Sequence, residues 1–137
     1  MTDNQKFIDV AVCGAHMSGL PLNHQLLLLG AEFVLKTKTA PKYKLFKLAG
    51  FTPIRPVLIR VNNGGAAIEL EVWRLPIEKY GTFVAEVPAP LGFGTLELET
   101  GASVIGFLCE AYATEGALDI SHYGSWKTFI EQPTIAA

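Results

Sequence analysis

The feature that most constrains this chain is the rhythm of its apolar runs. They are short, many alternate with polar residues, and Gly, Pro or Asn ends them before a long helix could form. Ile68 to Arg74 (IELEVWR) alternates strictly, with Ile68, Leu70 and Val72 on one face and Glu69, Glu71 and Trp73 on the other. It follows Asn62-Asn63-Gly64-Gly65, residues that tolerate the positive φ of a tight turn. Phe7 to Ala15 (FIDVAVCGA) is β-branched and apolar and ends in a glycine turn, which suits an interior strand. Ala31 to Thr37 and Tyr43 to Leu48 alternate on either side of Thr39-Ala40-Pro41 and read as an antiparallel hairpin. Pro56 to Val61 reads as an edge strand, because proline removes a ladder donor. Gly94 to Glu99 and Ser103 to Ala111 read as a second hairpin around Thr100-Gly101.

Helices are fewer. Asn23 is placed to cap a short turn, HQLLLLG, closed by Gly30. Pro76 suits the first turn of a helix over Ile77 to Val87. Ile120 to Glu131 reads as an amphipathic helix with Gly124 as its weak point. Six or seven strands with two or three short helices, joined mostly as hairpins, give an α+β fold: a small, mostly antiparallel, curved sheet or mixed β-barrel. The 137 residues form a single expected domain, 1–137, long enough to need no disulfide or structural metal.

Composition removes several function classes. A net charge of −2 gives no electrostatic case for nucleic acid or an anionic membrane surface. The lysines Lys36, Lys38, Lys42, Lys44 and Lys47 are interleaved with apolar residues, as on a solvated strand face. The longest apolar cluster, Leu26 to Leu29, is too short to span a bilayer, and residues 1–6 lack the apolar core of a signal peptide, so a cytoplasmic location is expected. Cys13 and Cys109 sit in apolar runs without CxxC spacing and read as buried thiols, and His16 and His24 straddle Pro21 at no metal-ligand spacing. No metal and no cofactor are expected.

What remains is the density of polar groups after the first strand. His16, Ser18, Asn23, His24 and Gln25 fall beside Gly14 and Gly19. A glycine turn at a strand end exposes backbone N–H groups able to hold a small anion such as a carboxylate. A histidine beside it can move a proton near neutral pH. The same residues also fit a hydrogen-bonded loop whose side chains satisfy the backbone around Pro21. Residue chemistry alone leaves both readings open.

The runs VAVCGAHMSGLPLNHQL, TAPKYKLFKL, GAAIELEVWRLP, GTFVAEVPAPLGFGTLELETG and VIGFLCE, in that order, resemble the C-terminal domain of allophanate hydrolase. The resemblance covers about Val10 to Trp126 or beyond and includes no amidase signature. In that family the amidase half releases ammonia from allophanate, and the C-terminal domain is associated with carbon dioxide loss from N-carboxycarbamate. The resemblance therefore implies a standalone homologue in urea degradation acting on a small carboxylated amide or carbamate. It also implies a fold similar to the γ-glutamylcyclotransferases, with a pocket at the end of the first strand. In those enzymes a YGSL-like loop binds substrate and a glutamate is the base. CGAH stands where that loop would, and Glu86 lies near the place of the acid.

The resemblance carries roles to Gly14, His16, Gly19, Asn23 and Gln25, with His16 as the proton-transfer residue. Backbone N–H groups near Gly14 and Ala15 would hold a carboxylate. Tyr43 would close the pocket, Leu91 to Gly94 would border it, and Trp73 and Trp126 would pack in the core or at the rim. Two alternatives stand beside decarboxylation: a non-catalytic subunit that docks on a separate amidase, and cyclotransferase-like chemistry on γ-glutamyl compounds. The sequence leaves the oligomeric state unassigned.

Overall fold

A computed structural model describes residues 6–132. In chain order the described elements are β1 (Phe7–Val12), α1 (Asn23–Leu28), β2 (Glu32–Lys38), β3 (Tyr43–Leu48), β4 (Arg55–Arg60) and β5 (Glu69–Pro76). Next come α2 (Ile77–Ala85), β6 (Leu91–Glu97), β7 (Ser103–Cys109), a 3₁₀ turn over Ala111–Thr114 and the short strand β8 (Leu118–Asp119). A second 3₁₀ turn at Ser121–Tyr123 leads to α3 (Trp126–Ile130).

Five strands form one sheet in the order β2-β5-β1-β7-β6, and three form another in the order β4-β3-β8. The β1–β7 pair is parallel and the other strand pairs are antiparallel. The fold is thus α+β and mostly antiparallel, with mixed sheets in place of a closed barrel. The five-stranded sheet curls until its edges meet at one end. There Thr39 bridges Leu98, and the Ala40 N–H donates to the Glu97 carbonyl at 2.8 Å.

Strand β1 lies at the centre of the larger sheet, as its apolar sequence requires. Its alternation feeds two cores: Ala11 joins Tyr43, Leu45, Leu58, Leu70 and Leu96, while Val10 and Val12 join Met17, Leu26, Leu75, Phe83 and Phe107. Leading into and along β5, Ile68, Leu70 and Val72 face the first core as the sequence indicates, and Trp73 and Leu75 face the second. Trp126 packs in the first core.

Several local expectations need correction. Strands β2 and β3 are not a hairpin. Strand β2 pairs with β5 and β3 pairs with β4, so the chain passes from one sheet to the other at Thr39–Pro41. Alternation identifies a half-exposed strand without naming its partner. Asn23 lies inside α1 and caps nothing, because its side chain is used elsewhere. The helix expected over 120–131 breaks at Gly124, whose φ of 73° is left-handed, and restarts when Ser125 Oγ accepts the Thr128 N–H at 3.3 Å. The expected edge strand is present as β4, and β6–β7 form the expected second hairpin. No helix among the described residues is long and apolar enough to cross a membrane.

Candidate functional site

Beyond Val12 the chain leaves the sheet between two cores and turns sharply. The Met17 N–H donates to the Gly14 carbonyl at 2.9 Å, and the Leu22 N–H donates to the Ala15 carbonyl at 2.8 Å. In a turn closed this way the two central N–H groups have no partner within the turn. Those of Ala15 and His16 donate to no protein acceptor among the described residues. Ala15 is only 3% exposed and His16 only 8%. An N–H with no protein acceptor in so buried a residue needs a partner in the space beside it.

Both residues line a cavity of about 120 Å³. Its walls are the turn from Cys13 to His16, Gln25 of α1, the start of β4 from Arg55 to Leu58, the segment Glu86 to Pro88 that follows α2, Leu91 and Phe107. A space this small suits a metabolite of few heavy atoms, well below a drug-sized ligand.

His16 is tightly held. Its ring stacks on Phe107 with centroids 5.2 Å apart and meets Phe83 edge-on at 5.3 Å. Nε2 lies 2.7 Å from Gln25 Oε1, so in the tautomer that fits, Nε2–H donates and Nδ1 keeps a lone pair. Burial pushes the imidazole pKa down to about 4, assisted by the charge of Arg55 and opposed by the Gln25 hydrogen bond. At neutral pH the ring is therefore uncharged, a hydrogen-bond donor on one side and a base on the other.

The polar residues of the loop divide between two tasks. Asn23 Nδ2 donates to the His16 carbonyl at 2.8 Å and fixes the backbone from behind. His24 Nδ1 donates to the Pro21 carbonyl at 2.9 Å. Ser18 donates to Glu71 through both its N–H and its hydroxyl, each at 2.8 Å. Those residues satisfy the loop, whereas Gly14, Ala15, His16 and Gln25 face the cavity.

Gly19 (φ 78°) makes the turn possible and is not on the cavity lining, and neither is Asn23. Tyr43 does not close the pocket. It is fully buried in the first core, where its hydroxyl accepts the Glu97 N–H at 2.9 Å. Its place in the alternating strand β3 turns it inward, away from the cavity.

Two participants were not singled out from the sequence. Arg55 lies at the start of β4 on the cavity lining. Its guanidinium is 5.0 Å from the Phe51 ring centre, and its Nε donates to the Pro53 carbonyl at 3.4 Å. Burial lowers its pKa. Glu71 lies outside the cavity but anchors the turn through Ser18. Glu86, near the place expected for an acid, does line the cavity.

The family model of the allophanate hydrolase C-terminal domain matches residues 8–131, nearly the whole described chain. This chain belongs to that family. It is 42% identical over 133 residues to the urea amidolyase of Saccharomyces cerevisiae, a match that spans 94% of this chain and 7% of that protein. The Kluyveromyces lactis allophanate hydrolase structure superposes with a TM-score of 0.88 at 42% identity, covering 92% of this chain and 21% of that one. The chain thus spans a small fraction of these long relatives. A uropathogenic E. coli-specific protein gives a TM-score of 0.85 at 34% identity, covering 91% of this chain and 96% of that one. The similarity thus extends over nearly the whole of that solved chain. A γ-glutamyl cyclotransferase shares the fold at a TM-score of 0.53 and 11% identity. In this member of the family, the polar part of the cavity is built from the turn after β1, the first turn of α1, Arg55 and Glu86.

Proposed function

We propose that the cavity binds a small carboxylated carbamate or amide and promotes loss of carbon dioxide from N-carboxycarbamate, with His16 moving the proton. The observation that carries this reading is the pairing, on one small cavity, of two residues whose N–H groups have no protein acceptor among the described residues with a neutral histidine held by Gln25. Membership of the allophanate hydrolase C-terminal domain family supports the substrate class.

In the reaction, the bond between the nitrogen and one carboxylate carbon breaks. That carboxylate leaves as carbon dioxide, its bonding pair goes to nitrogen, and nitrogen takes one proton to leave carbamate. Carbamate then takes a second proton from water and falls apart to ammonia and carbon dioxide. The Ala15 and His16 N–H groups hold one carboxylate. The apolar wall of Val57, Leu58, Leu91 and Phe107 excludes water, which favours loss of charge as carbon dioxide. His16 is neutral while the cavity holds no anion. A bound anion supplies the negative charge that favours imidazolium, so proton uptake accompanies binding and the proton is ready for nitrogen.

The direct test adds the purified protein to an amidase domain fed allophanate and follows carbon dioxide and ammonia release. Faster release that His16→Ala abolishes is expected. No change in either rate on adding the protein removes the reading.

Cyclotransferase-like chemistry is a second reading, favoured by the carboxylate of Glu86 on the same cavity. It requires formation of 5-oxoproline from γ-glutamyl dipeptides, lost in Glu86→Gln. The absence of that product separates the two.

A further inference from the structure

We propose that Arg55 makes this cavity selective for doubly carboxylated anions, one carboxylate at the Ala15–His16 turn and the other at the guanidinium. The inference deepens the functional reading above and rests on it.

Arg55 is the cationic side chain on the cavity lining. Among the described residues Arg55 has no carboxylate within 4 Å, and it lines the cavity, whereas the similarly unpaired Lys38, Lys47 and Lys79 do not. Its surroundings orient it without neutralising it. The Phe51 ring lies against the guanidinium, and the Pro53 carbonyl occupies Nε. The two terminal amino groups remain, and they form the fork that binds a carboxylate with two parallel hydrogen bonds. Partial burial removes some of the water that would otherwise solvate the charge, a cost that a bound carboxylate offsets.

The guanidinium and the turn are separate anion-recognising elements on one small cavity. Arg55 acts electrostatically on His16, so the two groups share that space. A single carboxylate engages one element and leaves the other unmatched. Glu86 narrows the arrangement further, because its charge disfavours any carboxylate placed near the end of α2. An anion with two carboxylates joined through one atom satisfies both elements, and a bridging N–H would give Glu86 a donor.

Malonate, which has a methylene in place of the bridging N–H and is stable in water, is the probe, with acetate as its single-carboxylate counterpart. Calorimetric titration should show malonate bound roughly tenfold or more tighter than acetate, the scale of one charge-assisted hydrogen bond. The preference should fall to near parity in Arg55→Gln and survive in part in Arg55→Lys, which keeps the charge but not the fork. Glu86→Gln should tighten malonate. Equal affinity for the two anions, no malonate binding, or a preference that persists in Arg55→Gln overturns the proposal. The carbon dioxide assay reads separately. If His16→Ala abolishes faster release while Arg55→Gln leaves the anion preference intact, the selectivity assignment fails and the decarboxylation reading stands. Malonate selectivity without faster release gives the reverse.

Discussion

Lys127 Nζ lies 3.3 Å from Glu71 Oε2, so the last described helix closes over the turn that carries His16. Glu71 is 2% exposed and saturated with donors. Oε1 accepts the Ser18 N–H at 2.8 Å and Trp73 Nε1 at 3.0 Å, while Oε2 accepts the Ser18 hydroxyl at 2.8 Å. One carboxylate thereby joins β5, the β1–α1 turn and α3.

Removing it leaves three donors and an ammonium without their acceptor. Glu71→Ala should cost about 3–5 kcal/mol of stability, as when one partner of a buried pair is lost. Lys127→Ala should cost about 1 kcal/mol, because Lys127 is partly exposed and Glu71 keeps its Ser18 and Trp73 bonds. Urea unfolding of both variants checks the order, and equal losses would show that the ion pair outweighs the hydrogen bonds. Burial raises the Glu71 pKa, but the Ser18 and Trp73 hydrogen bonds and the Lys127 charge outweigh it, leaving the folded value low. Its contribution is therefore present at neutral pH and lost as pH falls through that depressed value.

His16 gives a pH dependence in a higher window. Its folded pKa of about 4 lies below the ordinary histidine value near 6.5, so the unfolded chain binds the proton more readily. Stability should be full above about pH 6.5 and decline as pH falls toward 4, by roughly 3 kcal/mol at most. Denaturant midpoints measured across that range should show the slope, and His16→Gln should flatten it. An unchanged slope in the variant would mean that the imidazole is not the group responsible.

The same depressed basicity predicts proton uptake on ligand binding. A bound dianion raises the His16 pKa, so malonate titrations in buffers of different ionisation enthalpy should give heats that differ by the protons taken up. Uptake should grow as pH falls from neutral toward the unliganded value of about 4 and be absent in His16→Ala. Equal heats in all buffers would mean that the ring stays neutral when the anion binds.

The sequence made the site legible only where local chemistry determines structure. The glycine turn after an apolar strand pointed to N–H groups near Gly14 and Ala15 free to bind an anion; in the structure the N–H groups of Ala15 and His16 have no protein acceptor among the described residues. The alternation of Ile68 to Arg74 likewise fixed which residues share a face. It also placed Glu71 beside Trp73 but could not show that this face is covered, because the covering helix lies more than fifty residues away. Arg55 was obscured by its neighbours: it lies between Pro53 and Pro56, outside the strand expected from Pro56 to Val61, although β4 begins there and turns it onto the cavity. Tyr43 shows the converse. Its motif marked it for the pocket, but the partner of β3 decides which way that strand faces, and that pairing is a long-range fact.

The two thiols should differ in reactivity. Cys13 is buried in the first core, and burial pushes its pKa up to about 12. Cys109 is partly exposed, with burial and the charge of Glu110 raising its pKa. A disulfide reagent at pH 8 should label Cys109 slowly and leave Cys13 untouched until denaturant is added. Rapid labelling of Cys13 in the folded protein would show that the β1 end opens.

Gly14 offers the sharpest test of how closely the turn approaches β4. A Cβ built on it would lie 2.5 Å from Pro56 Cδ and 2.6 Å from Cγ, both on a rigid ring. Neither group can yield by changing rotamer, so the turn and β4 must separate. Gly14→Ala should therefore cost about 1–3 kcal/mol and move Arg55, next to Pro56, relative to the Ala15 and His16 N–H groups. Malonate affinity should fall even though every polar group of the cavity remains. Pairing Gly14→Ala with Pro56→Ala replaces the ring with a smaller side chain and should restore part of both losses. A double variant as impaired as the sum of the two single variants would show that the residues act independently and that the contact does not set the cavity.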